Sequence, residues 1–149
     1  DNLQTLLNAF VRDERGSAAV EAAVGVPAFV LFVGLIIFGG RTATTHSAVE
    51  SASADAARTA SIARTASEAK ADATTAAVAS LANQDIHCLS VTVSVDVSDF
   101  TKTVGQAASV SATVECRLDL GDLSVPGIPG SRLITATSTS PLDTFRERG

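Results

Sequence analysis

The sequence predicts an α+β chain. A long N-terminal helix, hydrophobic at first and amphipathic beyond, precedes a small antiparallel sheet of about three strands. Three observations carry this. An uncharged apolar run spans residues 22–40. A stretch without Gly or Pro then keeps small residues at helical spacing to about Asn83. From Leu89 the apolar period drops to two.

The apolar run reads AAVGVPAFVLFVGLIIFGG and holds three of the six Phe residues. Its length is what a helix needs to cross a hydrocarbon core. A signal-peptide core would be shorter and nearer the start. Its cleavage site would follow the run, where Arg41-Thr42-Ala43-Thr44 fits poorly. A buried core helix would need a shell of bulky residues, which the remaining sequence lacks. A membrane-inserted helix is therefore the expectation. Residues 1–16 end in the cluster Arg12-Asp13-Glu14-Arg15 and Gly16. The cluster sums to zero charge and gives little orientation by itself.

Beyond Arg41, Val49, Ala52, Ala56, Ala60, Ala63, Ala66, Ala69, Ala73, Ala77 and Leu81 recur at spacings of three and four. They form one helical face of small residues, which lets a second backbone come close. Most charges, such as Asp55, Arg58 and Lys70, lie off that stripe. The alternative, a low-complexity linker, would not keep this period. Joined to the apolar run, the helix would be a rod from about Ser17 to Asn83, on the order of 100 Å long. Such a rod suits a filament or a stalk. The expected organisation is a leader at 1–16, an assembly helix at 17–41, an Ala-rich stalk at 42–84 and a β domain at 85–149.

Leu89, Val91, Val93, Val95 and Val97 alternate with polar residues, as a half-buried strand does. Residues 99–106 turn the chain. Ala108, Val110, Ala112, Val114, Cys116, Leu118 and Leu120 then alternate in the same way. GDLSVPGIPGS reads as a loop. Ser131–Ser140 reads as a weaker, Thr-rich third strand, and PLDTFRERG as an irregular tail.

Composition narrows the function. The chain has 149 residues, a net charge of -5, 4% aromatic residues and no Trp or Tyr. It has no excess cation to neutralise phosphate and few rings for bases to stack on, so no nucleic-acid partner is expected. No Ser-His-Asp grouping, phosphate loop or metal-ligand cluster is present, so no catalytic residue, metal or cofactor is expected. His46 and His87 read as structural or solvated. Asp96, Asp99, Asp119 and Asp122 lie near turns but lack calcium-loop spacing.

The two cysteines, Cys88 and Cys116, flank the first hairpin. A disulfide between them is allowed outside the cytoplasm. It would contribute roughly 3.5 kcal/mol on the chain-entropy model. Parity opposes it. Apolar residues are odd-numbered in the first strand and even-numbered in the second, so Cys88 starts on the polar side. A bulge, or a position just before the strand, would reconcile the pair.

Glu21 stands one residue before the apolar run, and Gly16-Ser17-Ala18-Ala19-Val20-Glu21 places a Gly five residues ahead of it. A carboxylate at mid-membrane costs roughly 2.5–3.5 kcal/mol. The spacing resembles the cleavage motif of type IV prepilins. That resemblance implies cleavage after Gly16, Ser17 as the new N-terminus, and Glu21 paired with an amine such as a neighbour's freed N-terminus. Gly16 would leave the backbone open and extended for the peptidase. The wider stretch GSAAVEAAVGVPAFVLFVGLIIFGG is similar to TadE and TadG-type pilins of tight-adherence (Flp) systems. The shared features are Val20-Glu21, Pro27 and Phe38-Gly39. The ending SPLDTFRERG resembles actinobacterial TadE-like tails. One departure is Ala22, where these pilins often carry an aromatic. The strand domain points to a minor pilin or pseudopilin, since major Flp pilins have little beyond the helix.

The resemblance implies a single-pass membrane protein with a cytoplasmic N-terminus and an extracytoplasmic β domain. Its partners would be membrane lipid, other pilin subunits, a prepilin peptidase, a platform protein and an ATPase, in an oligomer or filament. It also implies that Pro27, which removes a backbone hydrogen bond, marks where the helix bends or melts on assembly. A second class of function stays open: a membrane-anchored binding module, adhesin or receptor, on a helical stalk. Such an anchor has no need to lose its leader.

Overall fold

Helix α1 (Asn2–Ile62) is followed by α2 (Ala66–Asn83), β1 (Cys88–Asp96), a 3-10 turn (Ser98–Thr101), β2 (Ser109–Asp119) and β3 (Ser131–Pro141). The computed structural model describes residues 2–121, 127 and 130–147, with the side chains of 2–15 outside that set. The charged cluster at 12–15, Asp122 and most of the loop predicted after Gly121 therefore lie outside the described side chains. The chain divides between Gly39 and Gly40 into two units. The α+β class, with a long N-terminal helix and a three-stranded antiparallel sheet, is as the sequence predicts.

The first unit contains the apolar part of α1. The second contains the rest of α1, with α2 and the sheet. In the second unit the buried residues of α1 are Thr45, Ala48, Val49, Ala52, Ser53, Ala56, Ala57 and Ala60, a single stripe at helical spacing. Ala69, Ala73, Ala77 and Leu81 form the matching stripe of α2. All the apolar members of the two stripes share one core with Val110, Ala112, Val114 and Cys116 of β2. The helices cover one face of the sheet.

The continuous rod to Asn83 is corrected by this arrangement. α1 ends at Ile62, and α2 begins after Thr65. Thr65 caps α2: its Oγ1 accepts the Glu68 N–H at 3.2 Å, and Glu68 Oε2 accepts the Arg64 N–H at 3.2 Å. Capping of this kind, close to a capping box but with Glu68 reaching one residue before the cap, starts a new helix without a Gly or Pro. The small-residue stripe therefore packs within the chain. Ser80 Oγ donates to Asp55 Oδ2 at 2.7 Å and ties α2 to α1. Ser53 Oγ, fully buried, donates to the Glu50 carbonyl and shares a 2.7 Å bond with Ser138 of β3.

The sheet has the order β1-β2-β3, antiparallel throughout. Val91, Val93 and Val95 lie opposite Cys116, Val114 and Ala112, so the two alternating runs put their apolar sides on one face. The opposite face is polar. There Ser111 and Thr113 bond the hydroxyls of Thr139 and Thr137, each at 2.8 Å. Phe100, in the 3-10 turn, and Leu142, after β3, are buried. The Leu142 N–H donates to the Ala108 carbonyl at 2.9 Å and holds the start of the tail against the sheet.

Candidate functional site

The segment marked by sequence begins at Gly16. Gly16, Ser17 and Glu21 are helical and exposed. A Cβ at Gly16 would meet nothing within 4 Å among the described residues, so none of them requires a glycine there by packing. The expected extended backbone at Gly16 is instead helical. Ala18 and Ala19 follow it, and a helix crosses a single Gly at a cost of about 1 kcal/mol relative to Ala.

The apolar run that follows has no buried side chain. Val24 is 68% exposed and Phe29 67%. Apolar side chains in such a run call for lipid or other apolar helices around them. The helix is compatible with a membrane anchor by length and composition. α1 continues through Pro27, which has no N–H to offer the Ala23 carbonyl one turn back.

Cys88 and Cys116 form a disulfide, with Cα atoms 5.4 Å apart. The parity conflict is resolved by a register irregularity between Cys88 and Ser90. Cys88 pairs with Leu118 across the ladder, Ser90 with Arg117, and Leu89 is the extra residue. One inserted residue flips Cys88 to the apolar side, where Cys116 is buried. Leu89 is left 59% exposed.

A cleft of about 690 Å³ lies beside the start of the second unit. No sequence motif marks it, because its residues come from three separate places. Gly40, Arg41 and Thr45 line it from α1, Asp85 and His87 from the link between α2 and β1, and Asp119 from the end of β2. Asp85 has φ 55°. Its N–H donates to the Ala82 carbonyl at 3.1 Å, and that of Ile86 to the Leu81 carbonyl at 3.0 Å. This is a helix C-cap of the kind that favours Gly at its left-handed position. The chain places a carboxylate there instead.

The other residues singled out by sequence have local roles. Asp96 Oδ1 accepts the Ser98 N–H at 3.0 Å, and this bond, with the Ser98 hydroxyl, holds the Asp96 carboxyl below the usual aspartate value. Asp99 accepts the Ser109 N–H at 2.9 Å and pairs with Lys102 at 3.2 Å. Asp119 Oδ1 accepts the Gly121 N–H at 2.9 Å. His46 lies 3.6 Å from Glu50, one helical turn on. Among the described residues, no three His, Cys, Asp or Glu side chains are grouped to hold a metal.

The Gly16 segment is also where a known family matches. Residues 16–58 match the family model TadE, described as TadE-like protein. The TadE-like segment begins on Gly16, contains the whole apolar run and ends within the buried stripe of α1. It stops short of α2 and the sheet. No curated protein matches the chain, and no solved structure does. The TadE-like match therefore bears on the helix, and the sheet is characterised by its own geometry alone.

Proposed function

We propose that this protein is a TadE-like minor pilin or pseudopilin of a tight-adherence type IV pilus system. The observation that carries the reading is a coincidence of position. The TadE-like match begins on Gly16, the residue that stands five places before Glu21 and just ahead of an apolar helix with no buried side chain. The tail SPLDTFRERG favours the actinobacterial type.

In this reading the action is assembly rather than catalysis. The leader, residues 1–16, stays in the cytoplasm, and a prepilin peptidase cuts the Gly16–Ser17 bond. The new Ser17 amine is a cation at the start of an apolar helix. A neighbouring subunit's Glu21 can pair with such an amine, which offsets the cost of holding a carboxylate among apolar groups. The helix then leaves lipid for the apolar helices of other subunits, or primes that step. A platform protein and an ATPase would drive this exchange. Pro27 supplies a point where the helix can loosen as it moves. The disulfide fits a sheet domain outside the cytoplasm, where thiols oxidise.

The test is Glu21→Ala in the native host. The variant is expected to enter the membrane and to be processed, yet to fail to support piliation. Glu21→Asp, with its shorter reach, is expected to restore piliation in part. Normal pili with the Ala variant would contradict the role of Glu21 in assembly.

A further inference from the structure

We propose that the cleft beside Gly40 binds the headgroup of a zwitterionic phospholipid with a primary ammonium, Arg41 taking the phosphate and the Asp85 and Asp119 carboxylates taking the ammonium. The proposal rests on reading residues 22–40 as membrane-inserted.

Gly40 is the last residue of the apolar run, and Arg41 and Thr45 follow it within α1. At 1.5 Å per residue, these cleft residues stand within about 8 Å of the hydrocarbon boundary. That is the depth of lipid headgroups, about 5–8 Å of polar region on each side of the core. This follows from chain connectivity alone.

The cleft carries both signs of charge: Arg41 on α1, Asp85 just after α2, and Asp119 at the end of β2. A guanidinium is a planar donor suited to phosphate. Carboxylates are acceptors, and a primary ammonium has three N–H groups to give them. A choline headgroup has none, and among the described residues the cleft offers it no aromatic cage, His87 being the single ring there. An anionic headgroup would meet two carboxylates. Ile86 and Leu118 add apolar wall for the glycerol end of the lipid. The volume, about 690 Å³, lies in the size range of small-molecule sites.

Asp85 is the left-handed residue of the α2 cap. Its left-handed backbone would be less strained as Gly. The cap bonds are made by backbone groups, which leaves the Asp85 carboxylate available to a ligand in the cleft.

The test uses the full chain in vesicles of phosphatidylcholine, phosphatidylethanolamine and phosphatidylglycerol in equal parts, with matched palmitoyl-oleoyl chains. Insertion is measured by resistance to alkaline extraction. Lipid retained after mild detergent extraction is then counted by native mass spectrometry. Phosphatidylethanolamine is expected to be retained about tenfold over either competitor, the worth of one charge-assisted hydrogen bond. Asp85→Gly and Asp119→Asn are each expected to remove most of that preference. Gly suits the cap, and Asn keeps an acceptor for the Gly121 N–H, so neither variant should lower the unfolding temperature by more than a few degrees.

An inserted chain that retains the three lipids equally overturns the cleft assignment and leaves the membrane reading intact. So does a preference that survives in the Asp85→Gly/Asp119→Asn double variant. A chain that alkali extracts contradicts the membrane reading and the proposal with it. Soluble phosphoethanolamine at equimolar concentration is expected to leave the lipid bound. Displacement by it would assign the cleft to a free phosphorylated amine and overturn the lipid as its ligand.

Discussion

Ser80 donates its hydroxyl proton to the Asp55 carboxylate across 2.7 Å, joining two helices whose residues are 25 apart in sequence. Ser80 is 9% exposed, so its hydroxyl has little access to water. Asp55→Ala would leave it without its acceptor. The expected loss is about 1–2 kcal/mol, the cost of an unsatisfied buried polar group. The Asp55→Ala/Ser80→Ala double variant should lose less than the two single losses added together. Urea unfolding of the full chain in detergent, followed by far-ultraviolet circular dichroism, measures this.

The alanine stripes give different predictions for a helical hairpin and for a free rod. Ala73 is fully buried in the core of the second unit. Ala73→Leu should destabilise that unit by about 1–3 kcal/mol through overpacking. On a solvated rod the same change would alter helix propensity only slightly. Hydrogen exchange of the α2 amides reads the difference directly.

Removing the disulfide has a predicted size. Cys88 and Cys116 close a separation of 28 residues. The Cys88→Ser/Cys116→Ser variant should lose roughly 3.5 kcal/mol on the chain-entropy model. Each single variant should lose about as much as the double, because either one removes the same bond. Intact mass before and after reduction should differ by the two hydrogens of the bridge.

The sheet is legible in the sequence because apolar residues at every second position suit a half-buried strand and no helix. Val91, Val93 and Val95 on one strand, with Val110, Ala112 and Val114 on the next, define both the elements and the buried face. The cysteine parity even points to an irregularity near Cys88, which the structure places at Leu89. The helical turn-back is harder to see, although Thr65-Ala66-Ser67-Glu68 carries the Thr-x-x-Glu signature of a cap. A stretch without Gly or Pro reads as continuous, and Ala-rich segments look alike on either side of a cap. The cleft is illegible on different grounds. Arg41, Asp85 and Asp119 line one cleft only once both helices and β2 have docked, and no spacing in sequence encodes that.

Asp96 supplies a pH-dependent contribution of known sign. Its carboxyl is held below the ordinary aspartate value by the Ser98 N–H first and the Ser98 hydroxyl second. A carboxyl depressed on folding adds stability that is present above the unfolded value. That stability is lost as pH falls through the lower, folded value. Carbon-13 titration of the Asp96 carboxyl should give a midpoint below that of free aspartate. Ser98→Ala removes the hydroxyl and keeps the N–H, so its midpoint should rise yet stay below the free value.

The central claim is that this chain is a processed pilin-class subunit, and its N-terminus in the native host tests that most directly. The measurement is N-terminal sequencing with intact mass, on protein from cells with and without the prepilin peptidase. The account predicts a chain that starts at Ser17 only when the peptidase is present. A chain that keeps residues ahead of Gly16 in both strains would contradict it, and would favour a membrane-anchored binding module instead.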